Sequence, residues 1–330
     1  MQKTDQTNNF SGPLADILNG FVAEKQATGY SYSKAVSTLK RFDLFCINTE
    51  HDNVDLTKEL VLNWTRKQQH EKDTNQTTRV SLMRMLGSYM VRNGYNYYIY
   101  PSRVDIITDY QYVPHIFTNK ELASLFQQAD RCTSHNRSPN RHLMLPLIFR
   151  ILYGCGLRIS EVLKLRVKDV LLDDGTLQIL NAKFNKDRLV PLCPSLSKRC
   201  RDYMQRVHFI PNPEEYFFPS PLGGKYKERT IYQYFRRFIW QAGISHGGRG
   251  SGPRLHDLRH TFAVHCLKRW VVDGVDLTVA LPFLSTYLGH TGLKGTQRYL
   301  RLTAELYPGI VSAVETKFSE MIPEVNYEIN

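Results

Sequence analysis

Leu255-His256-Asp257-Leu258-Arg259-His260 is the stretch on which the reading of this chain turns. His256 and Arg259 are three residues apart, a spacing that puts both side chains on one face of a helix. Together they offer a guanidinium fork for two oxygens and an imidazole able to give a proton to an oxygen or take one from it. His260, next on the same helix, reads as a packed, hydrogen-bonded histidine. Upstream lies Cys155-Gly156-Leu157-Arg158-Ile159-Ser160-Glu161. Gly154 and Gly156 allow a sharp turn there, and Arg158 stands where a helix begins. Its guanidinium can fork onto two phosphate oxygens beside free backbone N–H groups. The plainer alternative is a surface pair with Glu161. Downstream come Tyr287-Leu288-Gly289-His290 and Thr296-Gln297-Arg298-Tyr299. His290 and Tyr299 are separated by about two and a half helical turns, so one straight helix would point them opposite ways. They converge only if a turn intervenes, and Thr291-Gly292 and Lys294-Gly295 supply one.

Outward from these motifs the chain is mostly helical. Ala35, Leu39, Phe42 and Cys46 form one apolar stripe, and Leu60 with Trp64, then Leu82, Leu86 and Met90, repeat the pattern. The spacing predicts helices near 12–27, 31–49, 57–71 and 76–93, the last ended by Gly94. Tyr95 to Pro114 is tyrosine-rich, holds two prolines and has little helical period. It reads as a linker whose tyrosines pack between domains. A capping box, Thr118 with Glu121, restarts the helices. An apolar run from Leu143 to Leu152 and a short helix from Ser160 to Leu165 follow. Thr176–Leu180 and Arg188–Leu192 read as two strands of a hairpin or small sheet. Helices are expected near 195–207 and 228–242, then a glycine-rich loop from Gly243 to Pro253, then helices to about residue 321.

Lys and Arg number 43 against 31 Asp and Glu, a net charge of +12. Residues 1–113 carry +1 and residues 300–330 carry −3, which leaves +14 on 114–299. A surplus so placed favours a polyanion held by that segment. The six cysteines form no C-x-x-C pair, and no histidine cluster has zinc spacing, so no metal is expected and reduced thiols in the cytoplasm fit best. The first residues lack a signal-peptide pattern, and no apolar stretch is long enough for a membrane span. The absence of a G-x-x-x-x-G-K-[ST] loop argues against a P-loop nucleotidase.

Taken together and in order, Gly156–Glu161, Ala182–Leu192, His256–His260, Leu288–His290 and Tyr299 resemble the tyrosine recombinase, or phage integrase, family over about 114–307. The resemblance implies a mainly α fold with a small β-sheet. An N-terminal helical core-binding (SAM-like) domain over 1–100 would be joined by a linker, 101–115, to an α+β catalytic domain over 116–321, with a tail at 322–330. It implies that Arg158 and Arg259 clamp the scissile phosphate and that His256 and His290 are the active-site histidines. Lys183 would protonate the leaving 5′ oxygen, and Tyr299 would be the nucleophile. Ala182 and Phe184 stand where the family hairpin often has glycines, which leaves Lys186 as the alternative to Lys183.

The implied activity is site-specific DNA recombination (integration, excision or transposition) through a 3′-phosphotyrosyl intermediate, with no cofactor, metal or ATP. Two guanidiniums and histidine donors suffice for the charge that builds on the phosphate. The implied partners are double-stranded DNA, gripped by a two-domain clamp, and further copies of the chain. These would form a dimer per site and a synaptic tetramer, encoded by a mobile element. The segment from Thr303 to Glu320, with Leu306, Ile310, Val314 and Phe318 on one face, would dock on a neighbour or on its own domain. Whether Tyr299 acts in its own site or a neighbour's stays open. A type IB topoisomerase uses similar chemistry without joining two sites, and a DNA-binding architectural protein would need no tyrosine here.

Overall fold

The computed structural model describes residues 10–29, 32–95, 97–101, 113–180, 187–245, 247, 252–290 and 292–306. The chain is mostly helical and divides into two compact units, Met1–Tyr112 and Val113–Asn330.

The first unit holds α1 (Ala15–Ala27), α2 (Ser33–Asn48), α3 (Lys58–Thr65) and α4 (Asp73–Arg92). Their stripes meet in one core of Phe21, Leu39, Phe42, Cys46, Leu60, Trp64, Leu86 and Met90. Tyr97, Tyr98 and Tyr100, expected to pack between domains, lie against this unit's own core. The sequence predicts α3 to residue 71, but it ends at Thr65 because α4 captures its last carbonyls. Gln76 Nε2 donates to the Thr65 carbonyl at 3.1 Å, and the buried Arg79 donates to those of Trp64 and Arg66. Arg79 also pairs with Glu71. A helix end satisfied by a neighbouring helix has no local signature in sequence.

The second unit opens with α5 (Asn119–Asp130), capped by the Thr118–Glu121 box, and α6 (Arg141–Gly154). α7 is a single turn, Ile159–Val162. Three antiparallel strands follow: β1 (Val170–Leu171), β2 (Thr176–Ile179) and β3 (Arg188–Pro191), in the order β1-β2-β3 with Leu177 opposite both Val170 and Val190. β1 is a strand the sequence reading lacked, since two residues carry no alternation. Residues 181–186, between β2 and β3, lie outside the described residues. α8 (Pro194–Val207) and α9 (Glu228–Gln241) close a large core around the buried faces of α5 and α6.

α10 (Asp257–Val272), α11 (Leu277–Leu288) and α12 (Lys294–Leu306) build a second core from Val264, Leu267, Leu284, Leu288, Tyr299 and Leu302. α11 ends in a Schellman motif. Gly289 is left-handed (φ 66°), its N–H bonds the Thr286 carbonyl at 2.9 Å, and the His290 N–H bonds the Ser285 carbonyl at 3.0 Å. This reversal sends α12 back along α11 and α10, which overcomes the helical phase problem between His290 and Tyr299. The linker residues 102–112, the loop residues 248–251 and everything after 306, including Ile310, Val314 and Phe318, lie outside the described residues. So does Lys183, with Lys186.

Candidate active site

The site grows from the turn after α6. Gly156 sits at φ +58°, and a Cβ there would come within 2.4 Å of the Phe262 ring on α10. Only glycine allows both that backbone and that approach. Its carbonyl, so placed, accepts from Arg259 Nη1 at 2.8 Å. Arg259 Nη2 donates to the Leu288 carbonyl at 2.6 Å. Arg259 is 1% exposed. Burial, then the charge of Arg158, pushes it down to about 10, so it remains a cation at neutral pH.

Arg158 occupies the N-cap position of α7. Its Nη1 donates to Glu161 Oε1 at 2.8 Å and its Nη2 to the Gly289 carbonyl at 3.3 Å. The pair with Glu161 therefore exists, but it is no surface pair. Glu161 is 6% exposed and also accepts two bonds from Arg188 at 2.9 and 3.3 Å. Arg188 Nε in turn donates to the Tyr287 carbonyl at 2.7 Å. Burial alone would raise the Glu161 carboxyl, yet the hydrogen bonds and charge of Arg188 and Arg158 hold it below the usual carboxylate range. Three arginines and one carboxylate thus leave a net positive cluster.

Three imidazoles and one phenol complete it. His256 is the N-cap residue of α10, with an edge open to solvent. Crowding by protein atoms, then the charges of Arg259 and Arg158, lower its affinity for a proton. His290 bonds the Thr296 hydroxyl through Nδ1 at 2.8 Å and is pushed down to about 4 by burial and the arginines. Its ring stacks on Tyr299 at 6.0 Å between centroids, 24° from parallel. His260 Nδ1 lies 3.1 Å from the Tyr299 hydroxyl, and its ring meets that of His256 edge-on at 4.8 Å. Tyr299 is 3% exposed. Burial raises its phenol above the ordinary value, while the charge and hydrogen bonding of Arg259, then the charge of Arg158, oppose that rise.

Of the residues selected from sequence, Arg158, His256, Arg259, His290 and Tyr299 come together at this one place. Lys183 falls on residues that the structure does not describe. Sequence reasoning assigned no role to Arg188, whose partner Glu161 is far along the chain, or to the Thr296 hydroxyl. It saw in His260 only a packed histidine. Among the described residues no group of three or more His, Cys, Asp or Glu side chains is arranged to hold a metal ion. No helix among them is long and apolar enough to cross a membrane.

A sequence model of the phage integrase family matches residues 115–305, a span that contains the whole cluster. The putative integrase/recombinase y4rB of Sinorhizobium fredii is 30% identical over 274 residues, 82% of this chain and 87% of that protein. Tyrosine recombinase XerA of Pyrococcus furiosus is 32% identical over 161 residues, 48% of this chain and 50% of its own. The Tn1549 transposon integrase, solved in complex with transposon right end DNA, shares the fold. Its TM-score is 0.63 at 13% identity, over 92% of this chain and 99% of that one. This chain belongs to the phage integrase family and is a tyrosine recombinase.

Proposed function

We propose that the chain cuts and rejoins duplex DNA at specific sites, with Tyr299 as nucleophile and Arg158 and Arg259 as the clamp on the scissile phosphate. The carrying observation is the position of the Tyr299 hydroxyl. It is buried against His260 and His290 and lies under the field of both Arg259 and Arg158. As the Tyr299 oxygen bonds phosphorus, the bond from phosphorus to the 5′ oxygen breaks, and the phenol's proton passes to solvent water as its oxygen becomes the ester oxygen. Negative charge builds on the non-bridging oxygens, where fixed guanidiniums stabilise it without reorganising. His256 and His290, held neutral by their surroundings, serve as N–H donors to those oxygens. Lys183 protonates the departing 5′ oxygen. The 3′-phosphotyrosyl bond keeps the phosphodiester energy, so religation needs no ATP.

The first unit acts as a core-binding domain on the duplex. Two copies occupy each site, four make a synapse, and the segment after α12 docks on a neighbour. The y4rB likeness and the transposon DNA in the Tn1549 integrase structure support work on a mobile element by integration, excision or transposition. The test is covalent trapping on DNA fragments from the source genome, with the trapped DNA sequenced. Tyr299→Phe should bind that DNA as wild type does and form no adduct. An adduct in that variant would remove Tyr299 from the role.

A further inference from the structure

His260 is the one histidine of the cluster that the mechanism above leaves unused. It follows Arg259 on α10, so its side chain leaves the helix about 100° round from the guanidinium. Its Nδ1 reaches the Tyr299 hydroxyl at 3.1 Å. A buried phenol must place its proton on an acceptor. Arg259, which also acts on this oxygen, has N–H donors only and can accept nothing. The geometry points to His260 as a positioning residue for the nucleophile: its Nδ1 accepts the Tyr299 O–H and so turns the oxygen's lone pairs towards Arg259 and the phosphate. This rests on reading Tyr299 as the nucleophile.

The surroundings suit an acceptor that never charges. Burial first, then the charges of His256, Arg298, Arg259 and His290, push His260 down to about 3. An imidazole with so little affinity for a proton holds the O–H without taking it, so no proton transfer is assigned to His260. Its work is to remove the rotational freedom of the hydroxyl before DNA arrives. Misorientation of a reacting group by a small distance costs on the order of a hundredfold in rate. The edge-on contact with His256 and the stacking of Tyr299 on His290 fix the two rings between which this bond is made.

The test uses the full chain and a nicked duplex carrying the sequence recovered from the wild-type adduct. His260→Leu removes the acceptor and should form the adduct about 10- to 100-fold more slowly, with DNA affinity within about twofold of wild type. His260→Asn puts an acceptor near the position of Nδ1 and should recover most of the rate. His260→Gln carries its acceptor one bond further out and should behave as His260→Leu does; it stands in should the leucine variant fail to fold. A substrate with a 5′-bridging sulfur, which leaves without a proton, should rescue Lys183→Ala and leave His260→Leu slow. Wild-type rates in His260→Leu, equal losses in His260→Asn and His260→Gln, or rescue by the sulfur substrate would each overturn the proposal. Those outcomes leave Tyr299 as nucleophile untouched, whereas an adduct formed by Tyr299→Phe sinks the underlying reading.

Discussion

Glu161 and Arg188 form a buried two-point ion pair, and Arg158 shares the same carboxylate. The carboxylate therefore has two tasks. It fixes the guanidinium proposed to meet phosphate, and it neutralises an arginine that is otherwise buried against the Tyr287 carbonyl. Removing one partner of such a pair strands the other charge, which costs about 3–5 kcal/mol. Glu161→Gln should lower unfolding stability by an amount of that order, read from denaturant midpoints at neutral pH. Arg188→Met should lose less, because Arg158 still neutralises Glu161. Equal losses in the two variants would show that Arg158 contributes nothing to the pair.

Arg158→Lys keeps the charge and loses the planar fork. Lysine cannot donate to Glu161, the Gly289 carbonyl and two phosphate oxygens at once. Adduct formation should fall by one to two orders of magnitude, roughly what a lost bidentate contact of about 1.5–3 kcal/mol gives. DNA affinity should change by only a fewfold, because a chain with a net charge of +12 draws its electrostatic attraction from many other Lys and Arg side chains. Parallel cleavage and filter-binding measurements separate the two. A loss confined to affinity would place Arg158 outside the phosphate clamp.

Two half-buried histidines give the fold a pH signature. His260 and His290 are pushed down to about 3 and about 4, while the unfolded chain titrates near 6.5. Between those limits the unfolded state binds the extra protons, so stability falls as pH falls below about 6.5. Above that pH neither residue contributes a slope. Each fully shifted histidine adds up to about 1.4 kcal/mol per pH unit. Glu161, held below its ordinary 4.5, adds stability above that value that is lost on further acidification. Urea unfolding from pH 7.5 to 5 should show the decline, and His260→Asn should flatten it. An unchanged slope in that variant would mean that His260 titrates normally in the fold.

Most of the fold and the gathering of the site were legible because their signals are local. The α5 capping box, the helical stripes and the glycine turns around His290 each lie within a few residues. The cluster's order along the chain then places Arg158, His256, Arg259, His290 and Tyr299 together. What was not legible depends on distant partners. Arg188 reads as the first residue of a strand until Glu161 is seen beside it. His260 reads as packing until Tyr299 arrives on α12. The end of α3 is set by Arg79 and Gln76 of another helix, and β1 is only two residues long.

Gly156→Ala tests the turn that aligns the site. A left-handed backbone costs a non-glycine residue about 1 kcal/mol or more, and the new Cβ would press on Phe262 at 2.4 Å. Overpacking adds about 1–3 kcal/mol. The variant should be less stable by roughly 2–4 kcal/mol, the sum of those two terms. It should also cleave poorly even where folded, since the Gly156 carbonyl holds Arg259. Melting temperature and adduct rate at a temperature below the transition check both halves. Normal cleavage by folded Gly156→Ala would show that Arg259 is held by the Leu288 carbonyl alone.

Thr296 is fully buried, and its hydroxyl meets His290 Nδ1 at 2.8 Å. A hydroxyl that donates to Nδ1 leaves the ring proton on Nε2, which can then donate to an oxygen. Valine has the shape of threonine without the hydroxyl. Thr296→Val should cost only about 1 kcal/mol of stability, the net worth of one hydrogen bond. If His290 donates to a non-bridging phosphate oxygen, the same change should slow adduct formation several-fold, because the donor tautomer is no longer enforced. Thr296→Ser restores the hydroxyl while leaving a methyl-sized gap, so it should recover rate without full stability. That split, rate returning while the melting temperature does not, is what a purely structural threonine would fail to give.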